Sequence, residues 1–517
     1  MDVMLRLAAP LAFIVATLGF PPTQPSQPQR FDILIRHGRV MDGSGNPWVR
    51  ADIGIRGDRI VAMGSLPDAS AAHVIDAHDL VVAPGFIDVH SHAGEGLANP
   101  ALRQAQPIVA QGVTTVVINP DGGGPVNLAQ QRSTFERGGI GLNAAPLIGH
   151  GSVRAAVLGR ENRAPTADEL GRMIALVTQA MRDGAFGLSS GLFYVPGSYA
   201  KTDEVVALAR AVAPFGGVYT SHIRDEADYS VGVEAAVQEV IRIAEEAGVR
   251  GIVTHMKALG RDNWGKSAVL LKRIDAARAR RVQVFADQYP YEASSTSLRA
   301  ALAPNGVEPT EAIVTDNLRR RGGADAILIA FCKRDPSLDG KRLSAIAASR
   351  GVSPVQAAID IINGGDASIV SFNMSEADID AIMREPYTMA SSDGGLVPVG
   401  AGHPHPRDYG AFARRLAVYV RQRHIVSLEF AIRSMTSLPA LVFGIEDRGV
   451  LRPGAFADVA IFDPATIEDA ATYEQPQQLA TGVPTVIVNG VIVREDGKFT
   501  DALPGRVLRK APVAGSE

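Results

Sequence analysis

Two histidines, His90 and His92, lie two positions apart at the end of the apolar segment 82–92. Residues i and i+2 of a β-strand point to the same face, so the two imidazoles would be aimed at one point. Pro84 and Gly85 predict a turn just before the strand, which places the histidines at its carboxyl end. Because neutral imidazoles are common metal ligands, this spacing predicts one part of a metal site.

Other residues of the metal-ligand type follow the ends of later predicted strands. They are Asp121 after strand 112–118, His222 after 217–221, His255 after 251–254 and Asp393 after 388–392. A parallel α/β barrel turns all strand carboxyl ends toward one mouth, so we expect the four histidines and two aspartates to converge. Imidazoles and carboxylates hold Zn²⁺ in sites that keep an open position, and a neighbouring carboxylate can accept a proton from water.

The elements that would position these residues alternate through the middle of the chain. Predicted strands are separated by helical stretches such as 203–214, 233–247 and 268–280. About eight βα units fit, which predicts a (β/α)₈ TIM-like barrel over residues 84–444. The segment of about 298–380 is less regular and too long for one loop, so we expect a helical insertion near the barrel mouth.

The two ends of the chain show a different pattern. Residues 30–83 and 445–517 are rich in short alternating strands separated by Gly, Asp and Asn turns. We therefore expect one small β-sandwich domain built from both termini. The predicted fold class is α/β, a barrel with this sandwich and a helical insertion.

Residues 1–29 are typical of a signal peptide followed by a linker. Arg6 precedes an apolar run over 7–20, a small residue for cleavage lies at Gly19, and a Pro/Gln-rich stretch follows. We expect export, to the periplasm, with the mature chain starting near residue 20. An uncleaved membrane anchor is the alternative.

Composition narrows the function classes. The chain has 517 residues, of which 46% are hydrophobic and 21% charged, and its formal net charge is −4. This slightly negative net charge does not indicate nucleic-acid binding. No run of basic residues predicts a membrane partner after signal cleavage. Cys332 is the single cysteine, which excludes an intramolecular disulfide and a Cys-rich zinc knuckle. The expected partner is a small-molecule substrate, and the composition is compatible with an oligomer.

The sequence resembles the metal-dependent amidohydrolase superfamily and, within it, the N-acyl-D-amino-acid deacylases (D-aminoacylases). The resemblance covers nearly all of residues 31–510 and is carried by the segments 83–92, 112–117, 187–192, 221–226, 263–267, 289–296, 391–394 and 405–407. The His-x-His signal is superfamily-wide. The Ser-His-x-Arg-Asp-Glu, Tyr-Pro-Tyr and His-Pro-Arg segments are more specific to the deacylases.

The resemblance implies a hydrolase that cleaves N-acyl-D-amino acids to a carboxylate and a free D-amino acid. It implies one or two zinc ions, with manganese, cobalt or nickel as alternatives. His90, His92 and Asp393 match the first metal site, and His222 and His255 match the second. Asp393 is also the expected catalytic residue, which takes a proton from water and passes it to the leaving nitrogen.

One position departs from the family pattern. Asp121 falls where the D-aminoacylases usually carry a cysteine ligand. A carboxylate can still bind or bridge metal ions, but it is a harder ligand than thiolate.

Four further residues match those that hold the substrate carboxylate in the family: Lys257, Tyr289, Ser295 and Arg407. The planar guanidinium of Arg407 suits a bidentate grip on a carboxylate. Phe193 and Tyr194 are expected to line the acyl or side-chain pocket.

Two other functions are weighed against the deacylase. A dipeptidase or cyclic-amide hydrolase of the same superfamily is the first, because a carboxylate grip does not exclude a dipeptide. The second is a non-catalytic assembly protein of the same fold. Such proteins typically lose metal ligands, so the intact set of four histidines argues against it, and metal analysis would separate the two classes.

Overall fold

The computed structural model describes residues 30–511. The predicted signal peptide and linker, residues 1–29, lie outside the described residues, as do residues 512–517. Within the described range, no helix combines the length and apolar character needed to cross a membrane.

Five strands open the described chain. They are β1 (Arg30–Val40), β2 (Val49–Arg56), β3 (Arg59–Gly64), β4 (Ser70–Asp76) and β5 (Val81–Pro84). β1 pairs antiparallel with β2 and parallel with β4 and β5. These strands follow the alternating pattern predicted from the sequence, and Ile33 and Ile35 of β1 are buried against Ile53 of β2.

Parallel strands and helices then alternate from residue 86 to residue 288. The elements are β6 (Phe86–His92), α1 (Gly94–Ala98), α2 (Gln106–Val109), β7 (Val113–Ile118), α3 (Leu128–Gly138), β8 (Asn143–Pro146), β9 (Ile148–Gly149), α4 (His150–Leu158), α5 (Ala167–Arg182), β10 (Gly187–Gly191), α6 (Thr202–Val212), β11 (Val218–His222), α7 (Val233–Ala247), β12 (Arg250–Val253), α8 (Ser267–Ala279) and β13 (Val284–Gln288).

Helix α7 shows why these segments are helical. Its apolar residues recur every three or four positions, so that Val237, Ile241 and Ala244 share one buried face. The helix ends at Gly248, which takes the left-handed conformation with φ 70° that such ends require.

The irregular region after β13 is an insertion with its own small sheet. It contains β14 (Ala293–Ser297), α9 (Leu298–Leu302), α10 (Glu311–Arg320), β15 (Ile327–Phe331), α11 (Leu343–Arg350), α12 (Pro354–Asn363) and β16 (Ser368–Phe372). The helical insertion expected from the sequence therefore also contains strands. Its strands pair antiparallel in the order β14-β16-β15, and β14 is so rich in serine that its sequence resembles a loop.

The alternation resumes after the insertion. The elements are α13 (Glu376–Met383), β17 (Thr388–Ala390), β18 (Gly394–Gly395), α14 (Arg407–Arg414), a π-helix (Arg415–Gln422), α15 (Leu428–Met435) and α16 (Ser437–Phe443). Helix α13 contacts α8 and β13, so the insertion ends near residue 372 and not near 380. Short 3₁₀ helices lie at Gly197–Tyr199, Ala213–Phe215, Arg261–Asn263, Pro304–Gly306, Ala324–Ala326 and Pro336–Leu338.

The two ends of the chain meet in one sheet. The last strands are β19 (Val459–Phe462), β20 (Thr485–Val488), β21 (Val491–Glu495) and β22 (Lys498–Phe499). They extend the first five into a nine-stranded sheet, because β19 pairs with β5. The chain then leaves this sheet, and Leu508 and Lys510 donate backbone hydrogen bonds to Ala144 and Gly184 near the amino ends of β8 and β10.

The strands that carry the candidate site form two parallel sheets, in the orders β17-β13-β12-β11-β10-β9 and β18-β6-β7-β8. Only Leu147 separates β8 from β9, and β18 follows β17 closely. Segments 143–149 and 388–395 therefore each contribute to both sheets. The fold is α/β with parallel sheets, as predicted, and the carboxyl ends of these strands lie on the same side.

Candidate active site

Four of the predicted ligand residues meet at the carboxyl ends of β6, β7 and β17. His90 Nε2 lies 3.3 Å from Asp121 Oδ1 and 3.5 Å from Asp393 Oδ1. His92 Nε2 is 3.2 Å from the same Asp393 oxygen. One potential ligand atom from each of these four residues lies within 4.8 Å of all the others.

A second group is built around the same aspartate. His222 Nδ1 and His255 Nε2 are 2.9 Å apart. Asp121 Oδ2 lies 3.8 Å from His222 Nδ1, and Asp121 Oδ1 lies 3.6 Å from His255 Nε2. Asp121 thus belongs to both groups, and the structure brings all six predicted residues together.

These donor atoms fit divalent metal ions. Ligands bonded to a tetrahedral zinc at about 2.0–2.1 Å lie roughly 3.3 Å from one another, close to the separations in the first group. His90 Nε2 and Asp121 Oδ1 are buried and have no hydrogen-bond partner within the described chain. A buried polar atom without a partner costs about 1–3 kcal/mol, which a bound ion would offset.

The backbone at this cluster is strained. Asp121, His255 and Asp393 have φ values of 54°, 34° and 50°, in the left-handed region that residues with a Cβ seldom adopt. Such conformations persist where surrounding contacts enforce them, and they concentrate at functional sites. Three of the six candidate ligands therefore have backbone conformations that ordinary strand geometry does not require.

The loop that carries Asp121 is held by close backbone packing. A Cβ on Gly191 would lie 2.2 Å from the carbonyl oxygen of Asp121, so only glycine fits there. Ser189 Oγ donates to the carbonyl of Asn119 at 2.7 Å and accepts from the amide of Gly122 at 3.2 Å. Strand β10 thereby fixes the position of the Asp121 carboxylate.

Two buried carboxylates position the other strand ends. Asp88 Oδ1 accepts from the amides of His90 at 3.2 Å and Ser392 at 2.9 Å. Asp287 Oδ1 accepts from the amide of His255 at 2.8 Å. Sequence reasoning did not single out either residue, although Asp88 lies within the segment that contains the histidine pair.

A cavity of about 210 Å³ lies next to the cluster. Its wall includes all four residues predicted to hold a substrate carboxylate, namely Lys257, Tyr289, Ser295 and Arg407, together with Phe193 and Tyr194. Ser295 comes from β14, so the small sheet of the insertion contributes to the cavity. The predicted substrate residues and the predicted metal ligands therefore border the same space.

Both predicted cations of the cavity contact a carboxylate. Arg407 Nη1 lies 2.7 Å from Asp393 Oδ2, and its guanidinium carbon is 4.7 Å from the centre of the Tyr289 ring. Lys257 Nζ donates to Glu226 Oε1 at 2.6 Å. Glu226 is a site residue that the sequence showed only as part of a family segment.

The neighbouring charges control the ionisation of these acids. Burial alone would raise the pKa of Asp393, but Arg407 and the surrounding imidazoles hold it well below the usual range. Burial likewise favours the neutral form of Glu226, but Lys257 and the nearby histidines lower its pKa. Both groups are therefore carboxylates at neutral pH.

Comparison with known proteins shows what the chain is similar to. Residues 73–494 match the model of the amidohydrolase family. A D-aminoacylase of Alcaligenes xylosoxydans xylosoxydans is 38% identical over 510 residues, with 94% of this chain and 99% of the relative covered. An N-acyl-D-glutamate deacylase of the same organism is 37% identical over 512 residues, with the same coverage of 94% and 99%.

A solved structure has the same fold over nearly the whole described chain. It is the N-acyl-D-glutamate deacylase of Bordetella bronchiseptica, complexed with zinc and a phosphonate that mimics the tetrahedral intermediate. Its TM-score is 0.83 at 37% identity, and the match covers 93% of this chain and 100% of that one.

Proposed function

The chain belongs to the amidohydrolase family, and we propose that it hydrolyses the amide bond of N-acyl-D-amino acids to a carboxylate and a free D-amino acid. The resemblance inferred from the motifs is confirmed by the family match. One observation carries the proposal: the six-residue cluster borders a cavity whose wall holds Lys257 and Arg407, two cations suited to the free carboxylate of such a substrate. The relatives of similar length are D-amino-acid deacylases.

Zinc is the proposed cofactor, as one or two ions. The first would be held by His90, His92, Asp121 and Asp393, and the second by His222 and His255 with Asp121 shared. A bound divalent ion supplies Lewis-acid polarisation of the acyl carbonyl and lowers the pKa of water. Because Asp121 is a harder ligand than thiolate, manganese, cobalt and nickel are alternatives to zinc.

The residues of this chain move the proton. In hydrolysis, water adds to the acyl carbon, the C–N bond breaks, and one proton of the water ends on the nitrogen. Asp393 is ionised and faces the imidazoles through Oδ1 and Arg407 through Oδ2. It can accept the proton from water and deliver it to the leaving nitrogen.

Residues of the cavity wall next to the cluster would bind the substrate carboxylate. One nitrogen of Arg407 is engaged by Asp393, while its Nε has no hydrogen-bond partner among the described residues. Lys257, Tyr289 and Ser295 add an ammonium group and two hydroxyls along the same wall. Binding of the carboxylate there would position the amide nitrogen of the substrate relative to Asp393.

Release of free amino acid from paired N-acetyl-D- and N-acetyl-L-amino acids tests the proposal. The purified protein would be assayed with zinc, manganese or cobalt, and its metal content measured. We expect release from the D series and at least about tenfold lower kcat/KM for the L series, a difference of about 1.4 kcal/mol in transition-state binding. No release from any member with any metal would reject the function.

Replacement of Asp121 is expected to act first on the metal. Asp121→Asn should weaken metal affinity by about 10–100-fold or more, since even outer-shell partners are worth that much. Added metal should then partly restore the rate. Asp121→Cys should recover activity with zinc better than Asp121→Asn does, because thiolate is a strong zinc ligand.

To test this, each variant is titrated with metal to obtain its metal affinity, and its activity is then assayed. Asp168→Asn is the matched control, since Asp168 is an exposed carboxylate in the first turn of α5. If Asp121→Asn keeps full metal content and full rate, Asp121 has no ligand role.

Arg407→Lys is expected to raise KM for N-acyl-D-amino acids. Lysine keeps the charge but loses the fork that grips a carboxylate. The loss in transition-state binding should be roughly 1–3 kcal/mol, the scale of a charged hydrogen bond. Arg414→Lys is the control, because Arg414 lies on the same helix but pairs with Asp469. Unchanged steady-state kinetics would contradict the role of Arg407.

We extend the proposal to the architecture. The two parallel sheets share segments 143–149 and 388–395, so their pairings would close into one eight-stranded (β/α)₈ barrel. In support, one apolar cluster includes Ile87 of β6, Val218 of β11 and Met389 of β17. The nine-stranded sheet would fold over its own core as a small sandwich, since both termini contribute to one apolar cluster there.

Export to the periplasm is also proposed. Its support is the arginine and apolar run within residues 1–29. Amino-terminal sequencing of the native protein should find a start near residue 20, whereas an intact Met1 in a cytoplasmic fraction would contradict export.

A further inference from the structure

Arg321 lines the same cavity as the candidate metal cluster, although no sequence motif pointed to it. It follows helix α10, and only 2% of its surface is exposed. Within residues 30–511 it forms no ion pair with a carboxylate, and its Nε has no hydrogen-bond partner. A buried charge without a counter-charge is costly to a fold, so a cation in this state calls for an anion from outside the chain.

The other two cations of the cavity differ from Arg321 in this respect. Lys257 contacts Glu226 at 2.6 Å, and Arg407 contacts Asp393 at 2.7 Å. Arg321 is thus the cation of the cavity wall whose charge the described chain does not neutralise.

Neutral groups hold the Arg321 guanidinium in place. The side-chain amide of Asn373 forms two hydrogen bonds here. Its oxygen accepts from Arg321 Nη1 at 3.2 Å, and its nitrogen donates to Ser294 Oγ at 3.1 Å. The Tyr229 ring centre lies 5.8 Å from the guanidinium carbon. These contacts hold the guanidinium at the cavity wall without supplying a negative charge.

We propose that Arg321 binds a second carboxylate of the substrate and so determines specificity. The inference rests on the proposed deacylase function and names its substrate class: N-acyl-D-amino acids that carry a carboxylate beyond the one at the α-carbon. The shared chemistry is a second carboxylate near Arg321. It can come from the amino-acid side chain, as in N-acetyl-D-glutamate, or from the acyl group, as in an N-succinyl-D-amino acid.

Isosteric substrate pairs test this in the wild-type enzyme. N-acetyl-D-glutamate is compared with N-acetyl-D-glutamine, N-acetyl-D-aspartate with N-acetyl-D-asparagine, and N-succinyl-D-leucine with N-acetyl-D-leucine. We expect the acid of at least one pair to exceed its neutral partner in kcat/KM by roughly 10- to 100-fold, the scale of a charged hydrogen bond. The pair that shows the preference identifies the source of the carboxylate.

Arg321→Met then assigns the preference to this residue. It should lower kcat/KM for the preferred acid by a similar factor and leave neutral substrates within about threefold, since only one charged contact is removed. Arg321→Lys should retain part of the preference because it retains the charge. Arg319→Met is the matched control, since Arg319 lies two positions earlier, in the last turn of α10, where its side chain is 60% exposed and pairs with Asp262.

Several outcomes would overturn the inference. Equal turnover of acid and neutral partners in every pair would do so without any variant, even if Arg321→Met failed to fold. An equal loss for acidic and neutral substrates in Arg321→Met would show a structural role only. Turnover of neutral N-acyl-D-amino acids without any preference would reject the role of Arg321 alone, whereas no turnover of any member would reject the deacylase function as well.

Discussion

Asp393→Asn is expected to lower kcat by about 10²–10⁴-fold, the usual worth of general acid–base catalysis. Asparagine has the shape of aspartate but cannot accept the proton that leaves the attacking water. Arg407 lies 2.7 Å from Asp393 Oδ2 and holds the pKa of this carboxyl well below its usual range, so the wild-type group is available as a base at neutral pH. KM should change little, because asparagine keeps the shape of aspartate beside Arg407.

Metal content must be measured alongside this rate, since Asp393 Oδ1 also lies 3.2 Å from His92 Nε2. A rate that stays low at saturating metal identifies a proton-transfer defect. Asp378→Asn is the control, because Asp378 is a buried acid that accepts from the amide of Gly265 and is not one of the six candidate ligands. An Asp393→Asn enzyme that keeps full metal content and full kcat would exclude Asp393 as the proton carrier.

Loss of the histidines of the second group is expected to remove both metal and turnover. His222→Ala or His255→Ala should lower kcat/KM on the order of 10³-fold or more, since the Lewis-acid contribution of a metal ion is several kcal/mol. Chelation of the wild-type protein should have the same effect, and added zinc should reverse it. Full activity in a metal-free preparation would refute metal dependence.

The surroundings of His255 explain why its replacement should strongly lower metal binding and turnover. Lys257 Nζ lies 2.7 Å from His255 Nδ1. The other ring nitrogen, His255 Nε2, faces Asp121 and lies 3.6 Å from its Oδ1. Groups that orient a ligating imidazole in this way are part of the metal site. His424→Ala is the matched control, because His424 is an exposed histidine in a loop, and it should retain metal content and rate.

Many of the strands and helices that position the candidate site, and the six candidate ligands themselves, could be predicted from the sequence alone. Helix α7 was expected at its observed bounds, 233–247, because a 3.6-residue apolar period is a local property. His90 and His92 were expected on one face for the same reason, since the strand period is two. The strand-end positions of Asp121 and Asp393 followed from parallel topology, and the structure brings both to the histidines.

Only the tertiary structure decided which side chains meet across long separations. Asp88 binds Ser392, 304 positions away, and no local pattern encodes such a contact. The strands of the insertion were not predicted from the sequence. They form a separate sheet, and the serine-rich sequence of β14 resembles a loop. Arg321 lies in a run of three arginines that belongs to no recognised motif, yet the fold buries it in the cavity wall. Periodicity along a chain specifies how each element presents its faces, whereas the partner of a buried charge is selected by packing among elements distant in sequence.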